Sequence, residues 1–308
     1  MTPAPGSRRT YNTRCRGSAL ILLVFVLVLF VLGHQIHQLH PEMVSQQRAE
    51  KTATALSQAR RLLMARAMLD PDRPGSLPCP DADGNGSADL FAGNDCPQYL
   101  ARFPWRTLGG GKLTDADGEL LWYALSRNHR DDDSAQPLHL NLTAQLRAGT
   151  VDDVVAVVVA PGAPLPAQAG RPGNDLQDYL EGQNADGDQS FVAFPPGPDN
   201  DRMVWITRTE LKRGVTQIIL KRIAGAANSG LLQFRLSNGA FPAPDANGDG
   251  YPDAGVASGN VPYLALSYPV AIRQMLIKND WFKLAVYSVD AGSQSSSLTL
   301  HENTITLR

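Results

Sequence analysis

Charge is scarce in this chain. Of 308 residues only 19% are charged and 7% aromatic, and the formal net charge is -2. No basic surface of the kind that grips a phosphate backbone is expected, so nucleic acid is not an expected partner. There are three cysteines, and no second Cys pair or His cluster beside them to build a structural zinc site. P-loop and Rossmann glycines, HExxH and GxSxG are all missing. Nor is there a carboxylate pair placed to activate water, and no enzyme activity is expected. What is plentiful is backbone punctuation: 27 glycines and 22 prolines, beside a 43% hydrophobic fraction. That balance describes a folded, loop-rich chain.

The N-terminus is one-sided. Residues 1–17 carry Arg8, Arg9, Arg14 and Arg16 and no acid. An uncharged apolar run follows over 18–33 and extends to about 36 with neutral histidines, just long enough to span a bilayer. Positive charge ahead of it keeps the N-terminus cytoplasmic and the bulk outside. His34, His37 and His40 read as interfacial polar residues. Beyond Pro41, Ala49, Ala53, Leu56, Ala59, Leu63 and Ala67 recur at helical spacing. The spacing predicts one long helix over 18–70, bent near Pro41, half in a membrane and half packed on an outer domain. It stops at Asp70, because Pro71 disfavours helix in the residue before it.

Arg16-Gly17-Ser18 ahead of an apolar helix resembles the leader junction of the type IV pilin and type II secretion pseudopilin superfamily. The resemblance implies that a prepilin peptidase cuts between Gly17 and Ser18 and that the freed helix joins other pilin or pseudopilin subunits. Two departures matter. The family usually has Phe or Met after the cut, where this chain has Ser18. The fifth residue is usually a Glu that pairs with a neighbour's terminal amine, and here it is Leu22. A minor subunit, at a fibre tip without that neighbour, fits the departure. The segments LPCPDADGNGSAD, PWRTLG and GELLWYALS, with the Cys between the first two, resemble a group of bacterial prepilin-like proteins over about 18–190. This implies an inner-membrane anchor with the bulk periplasmic or displayed in a fibre. The alternative is a non-assembling, anchored periplasmic calcium-binding interaction module.

The outer part repeats itself. GSLPCPDADGNGSAD at 75–89 aligns with GAFPAPDANGDGYPD at 239–253. The likeness continues from 103–108 to 261–266, and each copy leads to an apolar segment, 120–126 and 281–289. An α+β fold is expected, with antiparallel sheet in two pseudo-twofold halves, 71–190 and 191–308. Buried strands are expected at 154–160 and 203–207, a helix capped by Thr209 running to about Ile223, a helix over 268–278 and a hairpin over 297–307.

The repeated loops carry the chemistry. Asp81, Asp83, Asn85, Gly86 and Asp89 give DxDxNGxxD, and Asp245, Asn247, Asp249, Gly250 and Asp253 give DxNxDGxxD. Alternating oxygen side chains around a glycine turn suit Ca²⁺, so two calcium sites are expected. The bidentate Glu of an EF-hand would fall at Ala92 and Val256. A further ligand must come from elsewhere, and Asp95 is one candidate. Such clusters also occur as plain turns, the reading preferred for Asp115 to Gly118 and for Asn184, Asp186 and Asp188. Cys79 and Cys96 flank the first loop. Outside the membrane, with Cys15 lost on leader removal, they form the expected disulfide.

Overall fold

The structure is a computed structural model of the chain. It describes residues 1, 6, 16–89, 95–131, 141–168, 170–193, 200–290, 292 and 294–308, with backbone alone for 16–19 and 32–42. Most of the leader, with Cys15, and the side chains of His34, His37 and His40 lie outside these residues. The chain divides into two compact units, Met1–Glu50 and Lys51–Arg308.

In the first unit α1 (Arg16–Leu69) begins, with Gly17 and Ser18 in its first turn and Pro41 inside it without a break in the helix. From Leu20 to Val31 every side chain is apolar and exposed. Among the described residues no helix is long and apolar enough to cross a membrane. The expected span 18–36 rests partly on side chains, 18–19 and 32–36, that lie outside them.

In the second unit the last third of α1 is a core element. Ala55, Leu56, Ala59, Leu63 and Ala67 are buried. Ala49 and Ala53, placed on the same stripe by their spacing, are exposed. The helix ends at Leu69, as Pro71 requires, and the Asp70 carboxylate accepts the amides of Asp72 (2.8 Å) and Arg73 (2.7 Å).

The first sheet has six strands: β1 (Leu100–Arg102), β2 (Trp122–Leu125), β3 (Leu146–Ala148), β4 (Val151–Ala160), β5 (Ser190–Phe191) and β6 (Arg202–Thr207). β4 is its centre, paired with β2 and β3 on one edge and β6 on the other. All pairings are antiparallel except β3 with β5. Then come α2 (Arg208–Ala224) and α3 (Gly230–Asn238), followed by β7 (Ser258–Gly259), α4 (Val270–Lys278), α5 (Trp281–Leu284), β8 (Val286–Val289), β9 (Ser296–Leu300) and β10 (Asn303–Leu307). Strands β7 to β10 form a four-stranded antiparallel sheet. Because β6 belongs to the first sheet, the first half extends past residue 190.

The continuous apolar run of β4 has a physical reason. A register shift between Val154 and Ala156 puts Val155, Ala156, Val158 and Ala160 into the main core, with α1 and α2. Val154, Val157 and Val159 face a second cluster, built with Tyr179, Leu180 and Phe191. A strand covered on both faces carries no polar alternation. By contrast β9 buries every second residue.

α2 starts one strand-end earlier than its expected cap. Thr207, not Thr209, accepts the Glu210 amide, and Glu210 returns the bond to the Thr207 amide, a reciprocal capping box. Leu211, Val215, Ile219 and Ile223 face the core as expected, while Ile218 is half-buried.

Four strands of the first sheet, β1, β2, β4 and β6, recur as β7 to β10. Ala101 pairs with Tyr123 as Gly259 pairs with Tyr287. Trp122 pairs with Val159 as Val286 pairs with Thr299. Ala160 pairs with Arg202 as Leu300 pairs with Asn303. Both copies even keep one buried hydroxyl: Tyr123 donates to the Pro78 carbonyl (3.2 Å) and Tyr287 to that of Pro242 (3.0 Å). Each bond ties the second strand of a sheet to the start of its loop. Tyr123→Phe and Tyr287→Phe leave a buried carbonyl unpaired and are expected to cost about 1–3 kcal/mol each in denaturant unfolding. Tyr251→Phe, at an exposed ring, serves as the unchanged control; equal effects from all three would remove this equivalence.

Candidate metal centre

Each repeated loop is organised by its first aspartate. Asp81 is fully buried; its Oδ1 accepts the amides of Gly84 (2.8 Å) and Asn85 (3.2 Å), and its Oδ2 accepts that of Gly86 (2.6 Å). Asp245 does the same for Gly248 (2.6 Å) and Gly250 (2.7 Å). The last aspartate closes each loop: Asp89 accepts from the Ala82 amide (2.5 Å) and Asp253 from that of Ala246 (2.8 Å). Gly86 and Gly250 sit at φ +90° and +87°. A Cβ on Gly86 would lie 2.4 Å from the Trp105 ring, and one on Gly250 2.9 Å from Leu264. Both the turn and the close approach therefore need glycine.

The loops differ in what they gather. Oxygens of Asp81, Asp83 and Asp89 all lie within 4.8 Å of one another. Ligands on one Ca²⁺ lie within about 5 Å of each other, twice the metal–oxygen distance, so this donor set fits the ion. In the second loop the middle position is Asn247, whose amide donates to Asp253 (3.3 Å). Among the described residues no second cluster of three acidic groups forms. Asn85 and Asp249, expected as ligands, also accept the amides of Ser87 (2.7 Å) and Tyr251 (2.8 Å). Burial pushes the Asp81 carboxyl up, against the Gly86 amide and with its neighbour Asp83 adding to the rise. The Asn85 amide holds Asp83 below the usual carboxylate range.

Asp95 is not the missing ligand. It accepts from the Tyr99 hydroxyl and pairs with Arg127 (3.2 Å) and Arg130 (3.7 Å). Ala92 lies outside the described residues. Two side chains that do reach the first loop are Thr107, whose hydroxyl accepts the Ala88 amide (2.7 Å), and Asn174, whose amide donates to the Ala82 carbonyl (3.3 Å). Asn174 is the distant one. It arrives from a connection, 161–201, that the second repeat replaces with the two-residue turn between β9 and β10. No spacing rule links Asn174 to a loop ninety residues away. Below it, the buried Arg102 guanidinium stacks on Tyr179 (3.8 Å) and Trp122 (4.2 Å) and donates to the Gly173 carbonyl (2.9 Å). Cys79 and Cys96 form the expected disulfide beside this loop.

Compared with protein families, curated proteins and solved structures, the chain matches none. The site is therefore read from its own chemistry.

The two lookalikes are turns. Asp115, fully buried, accepts the amides of Asp117 (2.9 Å), Glu119 (3.0 Å) and Gly162 (2.8 Å). Asp186 and Asp188 accept the amides of Asp188 and Ser190. Asn184 turns inward and donates to the buried Asp201 (3.0 Å). Asp201 lies against Glu181, whose carboxylate accepts the Asn200 and Asp201 amides (3.0 Å each). Burial pushes the Asp201 carboxyl up to about 8, the Asn184 amide opposing and Glu181 adding to the rise. A carboxyl raised on folding contributes stability that is complete below its unfolded pKa, about 4, and is lost as pH rises through the folded value. The denaturant midpoint is expected to fall as pH rises from about 4 to about 8 and to level off above that. Asp201→Asn should flatten that fall; an identical pH profile in the variant would assign the fall to another group.

Proposed function

We propose that this chain is a minor pilin or pseudopilin-like envelope protein. It enters the membrane and a fibre through α1 and displays an outer domain steadied by calcium. The observation that carries the reading is the form of α1. A basic, acid-free segment and Gly17-Ser18 lead into a helix whose residues 20–31 are apolar on every face. Such a stretch is a membrane or helix-packing element. The same helix ends in the core of the outer domain. The partners of this reading are the prepilin peptidase, the membrane and other pilin or pseudopilin subunits, with the N-terminus cytoplasmic and the bulk periplasmic or in the fibre. N-terminal sequencing of the protein from its own membrane is expected to begin at Ser18, and Gly17→Val is expected to block processing. A mature chain that still carries the leader would leave the anchored, non-assembling module as the reading.

Calcium is the proposed ion because the ligands are hard oxygens. The first loop binds more tightly, with three converging carboxylates, while the second offers Asp245, Asp249 and Asp253 with Asn247, which do not converge in the same way. Calorimetric titration of the chelator-treated chain is expected to resolve two ions, the weaker toward about 10⁻⁴ M. Asp83→Asn removes one of the first loop's converging carboxylates and should weaken its ion about tenfold; Asn247→Asp should strengthen the other by a like factor. No heat up to millimolar calcium, with no change in melting, would reduce both loops to turns.

A further inference from the structure

Helix α2 carries cations at both ends, with Lys221 and Arg222 in its last turn and Glu210 as the one acid of its first. Cations near a helix N-terminus oppose the positive pole of the helix dipole. Yet Arg208, Lys212 and Arg213 all lie in its first two turns. They line one side of a cavity of about 160 Å³, closed on the other side by the turn between β9 and β10, which contributes His301. Glu302 lines the cavity too and is its one carboxylate. Arg208 is paired, through Nε, with Asp153 (2.6 Å). Lys212 bonds the neutral Asn141 side chain (3.1 Å). Among the described residues neither Lys212 nor Arg213 forms an ion pair. In a chain with more acids than bases, two unpaired cations in one cavity are a local excess that folding does not explain.

The turn points the same way. His301 sits at φ 54°, the left-handed region that a bulky residue seldom occupies. A glycine there would relieve the backbone, so the side chain has its own reason to be present. The turn is held on α2 by the Asn303 amide, which donates to the buried Thr216 hydroxyl. Burial, and the Lys212 ammonium close by, push the His301 imidazole below its ordinary value, Glu302 opposing.

We propose that this pocket binds the phosphate group of a phosphomonoester. Two unpaired cations match a dianion, which a monoester becomes as pH rises through about 6, better than a monoanionic carboxylate or sulfate ester. The Thr209 hydroxyl and the His301 ring add neutral donors. The volume is below the roughly 300 Å³ of an ordinary small-molecule pocket, so the cavity takes the phosphate group and leaves the rest of the ester outside. Free esters and lipid headgroups both present this group.

The test is calorimetric titration of the full chain with inorganic phosphate near neutral pH, against chloride at equal ionic strength. Saturable binding of one phosphate is expected, weakened about tenfold or more in Lys212→Gln/Arg213→Gln. His301→Gly, which suits the backbone of that turn, should weaken it less and leave melting unchanged. In the wild type, the His301 ring signal should show its pKa rising when phosphate binds. Glycerol phosphate binding as well as phosphate marks a soluble ester; tighter binding to micelles doped with phosphatidic acid marks a lipid. No saturable heat up to about 10 mM phosphate, or heat equalled by chloride or unchanged in the double variant, overturns the proposal.

Discussion

A carboxylate taken out of water must find donors, and this one requirement shapes both halves of the outer domain. Asp81 and Asp245 lie buried at equivalent positions, and each satisfies its oxygens with amides three and five residues ahead. To present those amides the chain must turn through glycines, and the turn carries the last aspartate back onto the start of the loop. The same buried residues bridge to the first strand of each sheet, Asp81 to Arg102 and Asp245 to Asn260. Loop and sheet are thereby one structure, and the ligand set is a consequence of how the backbone is held.

The copies then diverge around that shared frame. The first repeat has a disulfide, a long connection, Arg102 stacked on two aromatic rings, and three carboxylates that converge in its loop. The second has none of these, keeps one sheet face open, and places Asn247 where the first has Asp83. α2 lies against both sheets, and the main core draws on both repeats. The halves are therefore layers around a common interior. The first is built to hold charge and the second to complete the core.

Much of this frame is legible in the residues. The repeat, the strand at 154–160, the stop before Pro71, the terminal hairpin and the Cys79–Cys96 pair all follow from local chemistry. What is not legible depends on distance. Asp95 looks like a ligand by its closeness in sequence, but Arg127 and Arg130 draw it away. Asn174 reaches the first loop through a fold no spacing encodes. Ala49 and Ala53 continue the helical period, yet both are exposed. The cap of α2 was readable: Thr207 precedes Glu210 by the capping-box interval, while Thr209 does not. α3 is a short helix whose apolar face is set by its neighbours more than by its period. The first sheet extends past 190 because β6 pairs across β4, a tertiary choice.

The account rests on Asp81 and Asp245 holding their loops in shape, so the most direct measurement is amide hydrogen exchange at Gly86 and Gly250 in chelator-treated protein. Both amides are expected to be strongly protected without any ion, because each is committed to a buried carboxylate. Added calcium should then raise protection first in the loop that holds Asp83. Exchange at both glycines as fast as in an unstructured peptide, with protection appearing only when calcium is added, would contradict the account: the ion, and not the buried aspartate, would then build the loop.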